Sequence, residues 1–102
     1  MEQQVSQFRR FLKVVFPAEL PESLSQIQED ELKPKVLPAL TYLMPIEKSI
    51  IESLYGLGDG WPYSIDECGR IHKMSVELVL QNKNEAIDKI RAYLEMMYSS
   101  HL

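Results

Sequence analysis

The residues with the most reactive side chains in this sequence are one cysteine and two histidines, Cys68, His72 and His101. A structural zinc site takes four ligands, one more than these residues supply. Cys68 and His72 are one helical turn apart, but Cys68 is too isolated to act as a nucleophile, and no catalytic constellation accompanies it. We interpret Cys68 as a buried, unreactive thiol. The sequence therefore predicts no catalytic residues, metal site or cofactor, and the chain is not expected to be an enzyme.

A glycine-rich segment, residues 56–63, lies in the middle of the chain. A phosphate-binding loop would follow a strand and would be followed by a lysine, and this segment has neither neighbour. The segment therefore predicts a compact turn between helices. Trp61, within it, is expected to pack on the helical bundle.

Apolar residues recur three and four positions apart along most of the chain, which predicts an all-α bundle of about five helices. The expected helices are residues 3–16, 32–43 with an interruption at Pro38, 46–54, 65–72 and 75–98. In the last helix the inward stripe is expected to be Val79, Ala86, Ile87, Ile90, Tyr93, Leu94 and Met97. Pro17 and Pro21 end the first helix and open an exposed acidic linker. We therefore divide the chain into an N-terminal helix with its linker, 1–30, and a helical domain, 31–102.

Composition and charge limit the partners of the chain. Its 102 residues suffice for one hydrophobic core. The net charge of −4 is unfavourable for binding nucleic acid, and the main basic cluster, Arg9, Arg10 and Lys13, lies at the N-terminus. No apolar run approaches the roughly 20 residues of a membrane span, and no signal-peptide pattern is present. The chain is therefore expected in the cytoplasm, without a membrane partner.

Serine residues mark the starts of the last two helices. Ser64 and Glu67 form an S-x-x-E capping box, and Ser75 can cap the longest helix. A short capped helix, a tight turn and a second capped helix form the helix-turn-helix arrangement. Gly69 would allow the two helices to approach closely, and Met74 and Val79 would hold the second helix at its angle.

The segment that contains these caps resembles the fourth conserved region of housekeeping-type bacterial sigma factors. Residues 44–57, MPIEKSIIESLYGL, are similar to the family signature LPxRExxVLxLRYGL. Residues 59–69 are similar to the following DGxPxTLEEIG, and residues 74–91 continue into VSRERVRQIExxALRKLR without a gap. The resemblance covers roughly residues 30–95. It implies a sigma-like helical domain with a C-terminal helix-turn-helix.

The resemblance also implies roles for individual residues. Glu77 and Gln81 correspond to positions that meet base edges, where glutamate can accept from cytosine and glutamine can pair with adenine. As an alternative, both are solvated surface positions. The candidate DNA-binding residues are Ser75, Glu77, Gln81, Lys73 and Lys83.

The chain departs from the family on the second helix of the helix-turn-helix, which is the helix that reads DNA in the family. Val76, Leu78 and Leu80 replace three arginines, which removes contacts to phosphates and guanines. Weak DNA binding is therefore expected, and we predict that these three residues form part of a protein-contact surface. The alternative is that the N-terminal helix covers them within the monomer.

Two hypotheses for function follow. The first is a sigma-like transcription regulator that acts through promoter DNA or core RNA polymerase, since the family's domain also docks on the flap of the polymerase β subunit. The second is a protein-interaction module that kept this fold and lost DNA reading. Its partner would be another transcription protein or a second copy, giving a homodimer.

Overall fold

The computed structural model describes residues 6–58 and 60–98, and throughout these residues the regular structure is helical. The α-helices are α1 (Gln7–Val15), α2 (Glu22–Ser25), α3 (Glu29–Val36), α4 (Pro45–Tyr55), α5 (Ile65–His72) and α6 (Val76–Tyr98), with a 3-10 helix (Leu37–Tyr42) between α3 and α4. The all-α prediction is confirmed. No helix among the described residues has the length and apolar character that crossing a membrane requires.

Helix α1 packs against the second half of α6. Ser6 caps α1 by accepting a 3.1 Å hydrogen bond from the Arg9 amide, so the helix begins at residue 7 rather than at residue 3; Val5 lies outside the described residues. Arg91 Nε donates to the Val15 carbonyl oxygen over 2.6 Å, which ties the end of α1 to α6. The largest group of buried apolar residues, the main core, includes Phe8, Phe11, Leu12, Val15, Leu24, Leu32, Val36, Leu40, Ile51, Ala86, Ile87, Ile90 and Leu94.

The segment between α1 and α3 is not the exposed linker that its acidic residues suggested. It contains α2, and Leu24 is fully buried. Leu20 and Ile27 also pack against the main core. Apolar side chains thus hold this segment on the bundle, while Glu22, the one acidic residue of α2, is exposed.

Prolines shape the next segment. Pro34 lies inside α3 rather than in its first turn, because α3 already begins at Glu29. The predicted interruption at Pro38 is confirmed: α3 ends at Val36, and the chain continues as the 3-10 helix.

A smaller group of buried residues, the corner core, lies between α4, α5 and the start of α6. It consists of Ile50, Cys68 and Val79, with Met74 and three other half-buried apolar residues packed around them. The burial predicted for Cys68 is confirmed, and this burial raises the pKa of its thiol.

Two apolar side chains are more exposed than predicted. Met97 is exposed although it continues the inward stripe of α6, because the buried residues of that stripe end at Leu94. Trp61 is also exposed, so its ring is not buried in the bundle.

Candidate functional site

Helices α5 and α6 meet at a turn of three residues, and we call residues 65–80 the corner. The capping box at the start of α5 is formed as predicted: the Glu67 amide donates to Ser64 Oγ over 3.1 Å, and the Ser64 amide donates to Glu67 Oε1 over 2.9 Å. Hydrogen bonding of the Glu67 carboxylate by the Ser64 amide and side chain lowers the pKa of this carboxyl. The negative carboxylate is also favourable at a helix N-terminus. The start of α5 is thus determined by residues next to one another in sequence.

The turn requires an unusual backbone at Lys73. This residue ends α5 in the left-handed conformation, with φ of 56°. A side chain in that region costs about 1 kcal/mol, and glycine is the usual occupant. The Met74 amide then donates to the Gly69 carbonyl oxygen over 2.9 Å, which closes the turn.

Gly69 allows the chain to fold back on α5. A Cβ atom at this position would lie 2.8 Å from the carbonyl oxygen of Met74. That distance is too short for two non-bonded atoms, so any larger residue would push the turn away from α5. The expected close approach at Gly69 is therefore present, between α5 and the turn.

Ser75 precedes α6 and caps it, since its Oγ accepts a 3.1 Å hydrogen bond from the Leu78 amide. The predicted cap is confirmed. Val79 is fully buried and Met74 is half-buried against it in the corner core, so both anchor the first turns of α6 as expected.

The three apolar residues predicted as a protein-contact surface do not lie side by side. Val76 and Leu78 are 40% and 42% exposed, while Leu80 is half-buried. At about 100° per residue, Val76 and Leu80 share one side of α6, and Leu78 points roughly 160° away from Val76. Val76 and Leu78 are therefore two separate apolar positions on α6.

Helix α1 does not cover Val76 and Leu78, so the alternative in which the N-terminal helix buries them is wrong. Helix α1 packs in the main core against the part of α6 that follows residue 85. Val76 and Leu78, at the other end of α6, keep their exposure.

The candidate DNA-binding residues are also divided between two sides. Glu77 and Gln81 are exposed and lie one turn apart on the same side of α6. Lys83 is half-buried and, two residues beyond Gln81, points to the opposite side. Lys73 is exposed in the turn, and the Ser75 hydroxyl is engaged in the helix cap.

A shallow groove of about 470 Å³ runs along the corner. Two cations line it, Lys73 and Arg70, together with Asp66, Gly69, Met74, Ser75 and Val76. Arg70 was not among the predicted site residues. Its position directly after the closely packed Gly69, on a capped helix, was the signal that could have identified it.

Comparison of the chain with protein-family models, with curated proteins and with solved structures returned no match.

Proposed function

We propose that this chain is a cytoplasmic, transcription-associated interaction module. In this proposal the corner is a sigma-like helix-turn-helix, and its exposed side chains contact a protein, with core RNA polymerase as the expected partner. The observation that carries the proposal is the surface of the first two turns of α6. Residues 76–82 contain no lysine or arginine, and Val76 and Leu78 are exposed there.

Charge supports a protein partner over DNA. A helix in the major groove passes close to two phosphate backbones, and the loss of each cation removes affinity. Between Val76 and Leu78 stands Glu77, which adds repulsion from phosphate. Exposed aliphatic side chains, in contrast, contribute to a protein interface by leaving water.

Direct promoter binding is the second candidate, and one observation favours it. Arg70 and Lys73 line the corner groove, and neither forms an ion pair among the described residues. Two phosphate contacts would give weak, strongly salt-dependent binding.

A DNA titration at two salt concentrations distinguishes the two candidates. We expect the wild-type chain to show little binding to a promoter-like duplex at about 150 mM salt. Val76→Arg with Leu78→Arg should create salt-sensitive binding. Leu80 is left unchanged because it is half-buried. Tight wild-type binding at that salt would support the DNA candidate and refute the proposal.

Capture of core RNA polymerase tests the protein contact. We expect one of the two variants, Leu78→Asp or Val76→Asp, to abolish capture. Because these residues lie on different sides of α6, the variant that loses capture identifies the side that the partner contacts. Asn84→Asp is the control, since Asn84 is exposed further along the same helix. Both apolar positions are exposed, so each variant should keep its stability within about 1 kcal/mol. Undiminished capture by both aspartate variants would contradict the proposal.

A further inference from the structure

A second group of exposed apolar residues lies at the C-terminal end of α6 and beside it. Tyr42, Met44, Met96 and Met97 are each between 51% and 69% exposed. The Tyr42 ring lies against the Tyr93 ring, with centroids 4.7 Å apart. Met96 and Met97 follow Tyr93 by three and four residues, so they neighbour it on the helix surface. We call these five residues the C-terminal patch.

None of the five side chains of the patch carries a charge. Residues 36–46, which include Tyr42 and Met44, contain no charged side chain. On the side of α4, the nearest charges belong to Glu47 and Lys89, and these compensate each other: Lys89 Nζ is 2.9 Å from both carboxylate oxygens of Glu47. Glu95 is exposed next to Met96 in the sequence, but it points about 100° away from Met96 around α6 and so lies outside the patch. The Met44 amide donates to the same carboxylate over 2.9 Å, which places this ion pair beside the patch.

The environment of the corner is different. Glu77 is exposed between Val76 and Leu78, and Arg70 and Lys73 line the adjacent groove. The corner therefore suits a partner that carries complementary charges. Leu78 and Met96 are separated by 18 residues of helix, or about 27 Å, so the corner and the C-terminal patch lie at opposite ends of α6.

We propose that the C-terminal patch binds a second copy of this chain across a two-fold axis. In a two-fold interface a surface faces itself, so any net charge on it meets the same charge. The chain carries a net charge of −4, and an uncharged surface lets two copies approach without local repulsion. The methionines adapt to the facing surface and pack favourably on aromatic rings, which Tyr42 and Tyr93 supply.

The expected dimer is weak. Five side chains make a patch of a few hundred Å², below the roughly 800 Å² per partner of a standard stable interface. We expect a dissociation constant on the order of 10–100 μM.

Methionine methyl labelling tests this arrangement within one sample. Between about 10 μM and 1 mM, the methyl signals of Met44, Met96 and Met97 should shift with concentration while sedimentation reports a rise toward the dimer mass. Met74 belongs to the corner core and is the internal control. Its signal should stay constant.

A charge introduced into the patch gives an independent test. Met96→Glu should weaken self-association at least tenfold, because the new carboxylate faces its own copy and loses solvation. Asn84→Glu adds the same charge to an exposed position about 120° away around α6, and should leave self-association unchanged. Melting temperatures of both variants verify that the fold is retained.

Three outcomes of these two tests would overturn this inference. They are a chain that stays monomeric up to about 1 mM, a Met74 signal that shifts with concentration, and Met96→Glu association equal to the wild type. Capture of a different protein through the patch by a monomeric chain would overturn it as well. The inference is independent of the proposed function, since the aspartate variant that blocks polymerase capture, Val76→Asp or Leu78→Asp, should leave the dimer intact.

Discussion

The two cores of this protein differ in how much of the chain they hold together. The main core gathers buried side chains from α1, α2, α3, the 3-10 helix, α4 and the second half of α6. The corner core has only three buried members, Ile50, Cys68 and Val79. Because stabilisation grows with the apolar area buried, the main core contributes most of the folding free energy.

The corner depends more on backbone geometry than on buried area. The caps at Ser64 and Ser75, the close approach at Gly69 and the left-handed Lys73 determine its shape. None of these features uses the outward side chains of α6. The residue types on that surface, such as Val76 and Leu78, can therefore vary while the arrangement of α5 and α6 is maintained.

The largest effect is expected from a truncation in the main core. Phe11 is fully buried, and its ring centroid lies 5.5 Å from that of Tyr55. Phe11→Ala should lower the free energy of unfolding by about 3–5 kcal/mol in urea denaturation. Arg10→Ala, exposed on the same helix, is the control and should change it by less than about 0.5 kcal/mol. A small loss for Phe11→Ala would mean that residues 1–30 are a separate unit from the helical domain.

The next largest loss of stability is expected from breaking the ion pair between Glu47 and Lys89. Burial raises the pKa of Glu47, but hydrogen bonds from Lys89 and from the Met44 amide, with the charge of Lys89, outweigh burial and lower the pKa overall. Lys89→Met would leave a buried carboxylate without its cation. We expect a loss of about 2–3 kcal/mol at neutral pH, since Lys89 itself is partly exposed. Lys48→Met, at an exposed position of α4, is the control.

The same pair predicts a dependence on pH. Because the folded-state pKa of Glu47 is below its unfolded value of about 4.3, its stabilisation is present above that pH and is lost as pH falls through the folded-state pKa. In Lys89→Met the carboxyl protonates more readily, so the deficit against wild type should shrink between about pH 7 and pH 4. An equal deficit at both pH values would show that the lysine contributes through packing rather than charge.

At the corner, Gly69→Ala should cost about 1–2 kcal/mol, because its Cβ would meet the Met74 carbonyl oxygen at 2.8 Å. Gly58→Ala is the matched control, since the nearest atom to its Cβ would be Glu52 Cβ at 3.7 Å, an ordinary contact. Thermal melts of both variants measure the difference. Equal stabilities would mean that the corner adjusts without strain.

The smallest expected effect is an increase in the free energy of unfolding. Lys73→Gly removes the strain of a left-handed side-chain-bearing residue, partly offset by the greater freedom of glycine in the unfolded chain. We expect stabilisation of about 0.5–1 kcal/mol. Lys73→Val, at the same position, should instead destabilise, and a stabilising valine would contradict the assigned backbone conformation.

Features determined by neighbouring residues were predictable from the sequence. The caps at Ser64 and Ser75 bond residues three positions away, so their pattern is visible directly. The opposite directions of Val76 and Leu78 also follow from helix geometry, because residues two positions apart do not share a face. That one partner contacts both residues stays a prediction.

Features that depend on distant contacts were not predictable. Glu47 and Lys89 are 42 residues apart, and only the packing of α4 on α6 brings them together. The burial of Leu24 depends on the surface it packs against, and its acidic neighbours suggested a solvated linker. The exposure of Met97 similarly depends on where the bundle ends, which the periodicity of α6 does not reveal.

The position of the single cysteine allows the local opening of the corner to be measured from the rate of thiol labelling. Cys68 is fully buried in the corner core, so a thiol reagent can reach it only when α5 moves away from α4 or α6. The labelling rate, compared with that of the unfolded chain, therefore gives the free energy of local opening. If the corner opens independently of the main core, that value is smaller than the free energy of global unfolding, and a bound partner should slow the labelling reaction.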